Sequence, residues 1–118
     1  EVLFATRTPA PGAAIALDLV DALAEDEVLP DLRVGVAFGT VVSRLGDVFG
    51  TTVNRAARLT ALAHPNAVLV DGPLATALTS QSGFRLTAMR RRTLRGVGSV
   101  TPHVLARSST QTRRGRLV

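Results

Sequence analysis

One segment near the middle of the chain, GDVFGTTVNRAARL at residues 46–59, constrains the fold more than any other stretch. The residues that lead into it, 41–49, predict a hairpin or a bulged return. A glycine then opens a new element, and Thr51 or Thr52 is of the residue type that caps helix N-termini. The segment therefore predicts a strand turn that is followed at once by a helix ending near residue 63.

The two faces of this predicted helix differ in chemistry. Mainly small residues fall on the face expected to pack against the sheet: Val53, Ala56, Ala57, Thr60 and Ala63. The opposite face carries the longer polar residues together with one leucine: Thr51, Asn54, Arg55, Arg58 and Leu62. Asn54 and Arg58 lie one helical turn apart, so both can reach one ligand. An amide beside a guanidinium suits a ribose oxygen next to a phosphate, although a pair with this spacing alone is much more often part of a solvated polar face.

In the rest of the chain, predicted strands alternate with predicted helices. This order predicts an α+β fold with helices over one face of a sheet. The other predicted helices are residues 13–25 and 72–80, and the predicted strands are residues 2–5, 32–38, 67–71, 84–94 and 99–106. Gly35 and Gly39 indicate close backbone approach or a turn. The first strand begins abruptly with the chain, so we expect the sheet to lack its first strand or strands.

Composition narrows the possible functions. The 118 residues are enough for one domain. There is no cysteine, which excludes disulfides, thiolate metal sites and a cysteine nucleophile and is compatible with a cytoplasmic setting. The net charge is +5, carried by 14 arginines without a lysine, but the absence of Trp and Tyr leaves few platforms for stacking bases. No apolar run approaches the roughly 20 residues of a membrane span.

The central segment resembles the signature of class III adenylyl and guanylyl cyclases. The resemblance is carried by DVFGTTVN from Asp47 to Asn54 and by AARL from Ala56 to Leu59. Neighbouring family motifs are matched by residues 32–39 (LRVGVAFG), 67–78 and 94–96 (LRG). The pattern is similar to that of bacterial, actinobacterial-like members, and the resemblance implies that this chain is an N-terminally truncated copy of the domain.

The resemblance covers residues 1–106, which we expect to be the C-terminal two-thirds of a cyclase catalytic domain. Residues 107–118 are expected to form a basic, disordered tail. The implied fold is the ferredoxin-like class III cyclase fold, with an antiparallel-rich sheet. The implied reaction converts ATP to cyclic AMP and pyrophosphate for intracellular signalling.

Four residues receive roles from the resemblance. Asn54 would orient the ribose, and Arg58 would stabilise the transition state at the α-phosphate. Asp47 would accept a hydrogen bond from the exocyclic amine of adenine, which favours adenine over guanine; an aspartate that only shapes a turn is the alternative. Arg95 would bind the triphosphate where the family often has lysine, and a plain turn residue is an equal alternative.

The family also uses two Mg or Mn ions, held by two aspartates. The resemblance places both aspartates, and a purine-selecting lysine, before the first residue of this sequence. We therefore expect no metal ligand in this chain and no activity from the chain alone. The implied partner is a second copy in a head-to-tail homodimer, in which one subunit supplies the metal ligands and the other supplies Asn54 and Arg58.

Two other functions stay open at this point. The first is a catalytically silent cyclase-homology domain that binds nucleotide or a partner. The second is a basic nucleic-acid-binding module that uses the arginine run at residues 90–92 and the arginine-rich tail. The lack of Tyr and Trp disfavours this module, so we expect no nucleic-acid partner.

Overall fold

The structure is a computed structural model that describes residues 2–28 and 31–108. The helices in this part are Pro9–Ala24 (α1), Thr51–Leu62 (α2) and Gly72–Thr79 (α3). The strands are Val34–Val36 (β1), Val42–Arg44 (β2), Asp47–Phe49 (β3), Val68–Val70 (β4), Phe84–Ala88 (β5), Arg92–Leu94 (β6), Gly98–Val100 (β7) and His103–Arg107 (β8). None of these helices is long and apolar enough to cross a membrane. Positions 109–118 of the predicted tail lie outside the described residues.

A four-stranded sheet forms the centre of the fold, in the order β1-β4-β8-β5. Strand β1 runs parallel to β4, whereas β8 runs antiparallel to both of its neighbours. Two hairpins, β2–β3 and β6–β7, stand outside this sheet. The arrangement confirms the predicted α+β fold with an antiparallel-rich sheet.

The two faces of the sheet are covered by different elements. Val68 and Val70 of β4 pack with α1 and α3, in a core that includes Leu17 and Leu78. Leu69 points the other way and packs with α2 and the β6–β7 hairpin. The expectation that the helices lie over one face is therefore wrong. The reason is the composition of β4, which is apolar on both sides and therefore needs cover on both.

Gly35 allows α2 to lie directly against β1. A Cβ at this position would be 2.3 Å from the backbone nitrogen of Thr60 and 2.4 Å from the carbonyl oxygen of Ala56. At Gly39 a Cβ would be 2.6 Å from the Thr52 hydroxyl. Both glycines are positions of close approach, as predicted.

Gly35→Ala is expected to lower the free energy of unfolding by about 3 kcal/mol, the upper part of the usual range for overpacking. The added methyl group meets helix backbone at two points, and the backbone can yield only if α2 moves away from the sheet. Gly39→Ala is the matched control, with an expected loss of about 1–2 kcal/mol, because its methyl group meets the Thr52 side chain and not helix backbone; the Thr52 side chain can turn away at the cost of its hydrogen bond to the Thr40 carbonyl. Urea denaturation of both variants measures the difference, and equal losses would contradict the packing argument.

Several predicted boundaries differ from the structure. Residues 2–5 form no strand, because no described segment pairs with them and Val2 is 91% exposed. The predicted strand 84–94 is divided into β5 and β6, and the predicted strand 99–106 into β7 and β8. Pro102, which has no N–H to donate, lies between β7 and β8, and its carbonyl accepts a bond from the Met89 nitrogen at 2.8 Å.

Candidate active site

Helix α2 begins directly after the β2–β3 hairpin, as the sequence predicts. The hairpin turns through Leu45 and Gly46, which both have positive φ, and Gly50 at the helix start has a φ of 124°. The helix has no side-chain cap, so the prediction that a threonine caps it is wrong. The Thr52 hydroxyl instead donates to the carbonyl of Thr40 at 2.8 Å.

An open cavity of about 310 Å³ lies between α2 and the turn of the β6–β7 hairpin. It is lined by Asn54, Ala57 and Arg58 from the helix and by Arg95 and Gly96 from the turn. Three of the four predicted site residues therefore meet in one place, and all three are exposed to solvent. Two guanidinium groups beside one amide make this cavity suited to an anion that also offers a hydroxyl or carbonyl group.

The packing face of α2 is rotated from the predicted one. Leu59 and Ala63 are fully buried, whereas Ala57 is exposed and lines the cavity. The prediction that Ala57 faces the sheet is therefore wrong. A small residue at this position leaves room between the Asn54 and Arg58 side chains.

Asp47 lies in a different cavity from the other three predicted residues. This second cavity, of about 290 Å³, is formed by residues 46–48 of the hairpin and by residues 3–5. Asp47 is exposed and stands opposite Arg44 in the β2–β3 register. The structure thus places the candidate purine contact and the candidate phosphate contacts in two different cavities.

A buried carboxylate close to α2 was not identified from the sequence. The Asp71 side chain is fully buried, and its Oδ1 accepts bonds from the backbone nitrogens of Leu74 at 2.9 Å and Phe38 at 3.2 Å. Its Oδ2 accepts a bond from Arg55 Nε at 2.7 Å. Arg55, which the sequence analysis places on the polar face of the helix, is thus held by an ion pair. An aspartate directly before Gly72 and Pro73 is a helix N-cap signal, and this signal could have identified Asp71.

The resemblance places the aspartates of the two-metal site before residue 1, and the described residues contain no other group that could form such a site. Within residues 2–28 and 31–108, no three Asp, Glu or His side chains are grouped so that they could hold a metal ion. Both oxygens of Asp71 are already engaged by Leu74, Phe38 and Arg55.

The arginine run at residues 90–92 is partly engaged within its own hairpin. Arg91 Nε donates to the hydroxyl of Ser99 at 2.5 Å, whereas Arg92 Nε is buried without a hydrogen-bond partner among the described residues. The bond to Ser99 fixes the direction of the Arg91 side chain but leaves its positive charge in place.

The fold is thus an α+β sheet covered on both faces, with a cavity suited to an anion beside a strand–turn–helix segment. Residues 11–107 match the family model described as the adenylate and guanylate cyclase catalytic domain. The chain belongs to this family.

Curated relatives agree with this assignment. An adenylate cyclase of Glutamicibacter nicotianae is 47% identical over 106 residues, which cover 90% of this chain and 26% of that protein. An adenylate cyclase of Streptomyces griseus is 59% identical over 78 residues, covering 66% of this chain and 20% of that protein. The pH-sensitive adenylate cyclase MT1302 of Mycobacterium tuberculosis is 40% identical over 118 residues, which cover 97% of this chain and 30% of that protein. The chain thus spans 20–30% of the length of these actinobacterial relatives.

Solved structures share the fold at low sequence identity. An adenylate/guanylate cyclase/hydrolase from Silicibacter pomeroyi superposes with a TM-score of 0.75 at 23% identity, covering 86% of this chain and 64% of that one. The guanylate cyclase domain of RhGC from Catenaria anguillulae, solved in complex with GTP, superposes with a TM-score of 0.65 at 13% identity, covering 84% and 59%. These likenesses confirm the predicted class III cyclase fold.

Proposed function

We propose that this domain supplies the purine-binding and transition-state half of an adenylate cyclase active site, which converts ATP to cyclic AMP and pyrophosphate. The observation that carries the proposal is the convergence of Asn54, Arg58 and Arg95 on one open cavity. The names of the similar actinobacterial proteins, which are adenylate cyclases, support the same reaction.

The chemistry is an in-line displacement at the α-phosphorus. The 3′-hydroxyl of the ribose attacks, the bond between the α-phosphorus and the bridging oxygen breaks, and pyrophosphate leaves while the hydroxyl proton is released. Arg58 would direct its guanidinium at the non-bridging oxygens, where negative charge develops. Asn54, one helical turn away, would hold a ribose oxygen. Arg95 would bind the β- and γ-phosphates through a guanidinium fork.

Asp47 would select the purine in this proposal. An ionised carboxylate only accepts hydrogen bonds, and the exocyclic amine of adenine can donate one. Guanine presents a carbonyl at the same edge, so ATP would be preferred over GTP. The separation of Asp47 from the phosphate cavity is consistent with a ligand whose base and phosphates lie at opposite ends.

The remaining half of the active site would come from a partner chain. A head-to-tail homodimer would place the metal-binding carboxylates of one subunit beside Asn54 and Arg58 of the other. The Mg or Mn ions would be held by those carboxylates, and this chain alone would be inactive. A cytoplasmic location belongs to this proposal because the proposed substrate is ATP.

Complementation tests the proposal. This chain is mixed with a complete cyclase chain of the same family in which the residues aligned with Asn54 and Arg58 are alanine. The mixture is expected to form cyclic AMP from ATP, whereas each chain alone stays at background. The rate with GTP is expected to be at least about tenfold lower than with ATP, because the Asp47 carboxylate would find no amine donor at that edge of guanine.

The matched control is this chain with Asn54→Ala and Arg58→Ala, which should form the same heterodimer and restore nothing. Size-exclusion chromatography verifies that the two chains associate. A heterodimer that contains the unaltered chain and still forms no cyclic AMP would contradict the proposal and favour the catalytically silent alternative. Binding to nucleic acid that weakens steeply with salt, without nucleotide binding, would favour the nucleic-acid module.

A further inference from the structure

The ion pair between Arg55 and Asp71 lies within one helical turn of the candidate catalytic residues. Arg55 directly follows Asn54 in α2, and Arg58 comes one turn later. The Asp71 carboxylate is fully buried, while the Arg55 side chain keeps 18% of its surface exposed. We propose that Arg55 and Asp71 are positioning residues, which hold α2 in the rotation at which Asn54 and Arg58 face Arg95.

Asp71 connects the end of β1, the start of α3 and helix α2 through hydrogen bonds. Its backbone nitrogen donates to the Val36 carbonyl at 3.2 Å, which ties it to the end of β1. Its carboxylate caps α3 through Leu74 and also accepts a bond from Phe38. The oxygen that faces α2 is bonded to Arg55. The sheet and α3 therefore fix the carboxylate, and the carboxylate in turn fixes the arginine.

The first turns of α2 have few other polar contacts to hold them. The helix has no side-chain cap, and its start at Gly50 requires a φ of 124°. Among the described residues, the first turns of α2 make one polar side-chain contact with other elements besides the Arg55 ion pair. This contact is the hydrogen bond from the Thr52 hydroxyl to the Thr40 carbonyl. An arginine held at Nε by a buried carboxylate cannot rotate away without leaving that charge unpaired, which is strongly unfavourable. The ion pair thus sets the orientation of the helix face that lines the cavity.

The opposite end of α2 offers a matched control. Arg33 Nη1 donates to the carbonyl of Ala63 at 3.0 Å and so anchors the C-terminal end of the helix. Arg33 does not line the cavity of Asn54 and Arg58. Arg33→Met and Arg55→Met therefore each remove one arginine contact from the same helix, but only Arg55→Met removes it beside the candidate site.

This inference rests on the proposed function, so the experiment has one readout that needs activity and one that does not. In the complementation mixture, Arg55→Met is expected to lower kcat by about 10- to 100-fold, the scale of a misplacement near 1 Å. Arg33→Met should change kcat by less than about twofold, although it also destabilises the helix. Arg55→Lys retains the charge and should recover part of the loss, and it serves as the folded variant if Arg55→Met does not fold.

The second readout is the side-chain amide signal of Asn54 in the ¹⁵N–¹H NMR spectrum of this chain alone. The signal should shift or broaden in Arg55→Met or Arg55→Lys and stay in place in Arg33→Met. The positioning role would be overturned if a folded Arg55 variant behaved like Arg33→Met, with a nearly unchanged kcat and an Asn54 signal that stays in place. If Arg58→Ala leaves activity intact while the Asn54 signal still responds to Arg55, the proposed function fails and the positioning role stands.

Discussion

Arg58→Ala is expected to lower kcat for cyclic AMP formation by about 100- to 1000-fold, with a much smaller change in KM. Removal of one group that stabilises developing charge typically has an effect of this size. The guanidinium interacts most strongly with the pentavalent phosphorus, because charge on the non-bridging oxygens is greatest there. The loss should therefore fall on the chemical step rather than on substrate binding.

The measurement uses the complementation mixture at several ATP concentrations, so that kcat and KM are obtained separately. Arg85→Ala is a suitable control, because Arg85 is exposed on β5 and does not line the cavity. This control should retain the activity of the unaltered chain. A raised KM at constant kcat would show that Arg58 binds the ground state and the transition state equally, contrary to its proposed role.

Asp71→Ala is expected to lower the free energy of unfolding by about 3 kcal/mol or more. Loss of one partner from a buried ion pair typically costs about 3–5 kcal/mol. In this case it leaves Arg55 without its carboxylate and two backbone N–H groups, on Leu74 and Phe38, without their acceptor. Loss of the cap also weakens α3, typically by about 1 kcal/mol.

The matched control is Asp18→Ala on α1. Asp18 is paired with Arg107 of β8, but its side chain is 70% exposed, so water screens the pair. We expect a loss below about 1 kcal/mol for this variant. Urea denaturation at low and high salt compares the two, and only the small Asp18 effect should shrink as salt rises. Equal losses at both sites would contradict the assignment of Asp71 as a structural centre.

The position and type of the central elements could be predicted from the sequence because their signals are local. The 41–49 hairpin and the helix from Thr51 follow from short-range patterns of glycine, threonine and alanine, and both are confirmed. The turn at Leu45 and Gly46 needs positive φ at two adjacent residues, a requirement that a glycine helps to satisfy. The motifs of the central segment likewise indicate the cyclase family, and the family match over residues 11–107 confirms it.

The sequence by itself determined which residues lie one turn apart on α2, because helical geometry alone places Asn54 beside Arg58. Only the tertiary structure decided what faces them. The meeting of Arg58 with Arg95 and the burial of Asp71 against Arg55 join residues that are distant in the chain, and no local pattern encodes such contacts. The placement of α2 on the opposite face from α1 and α3 was likewise decided by packing, because both sides of β4 had to be covered.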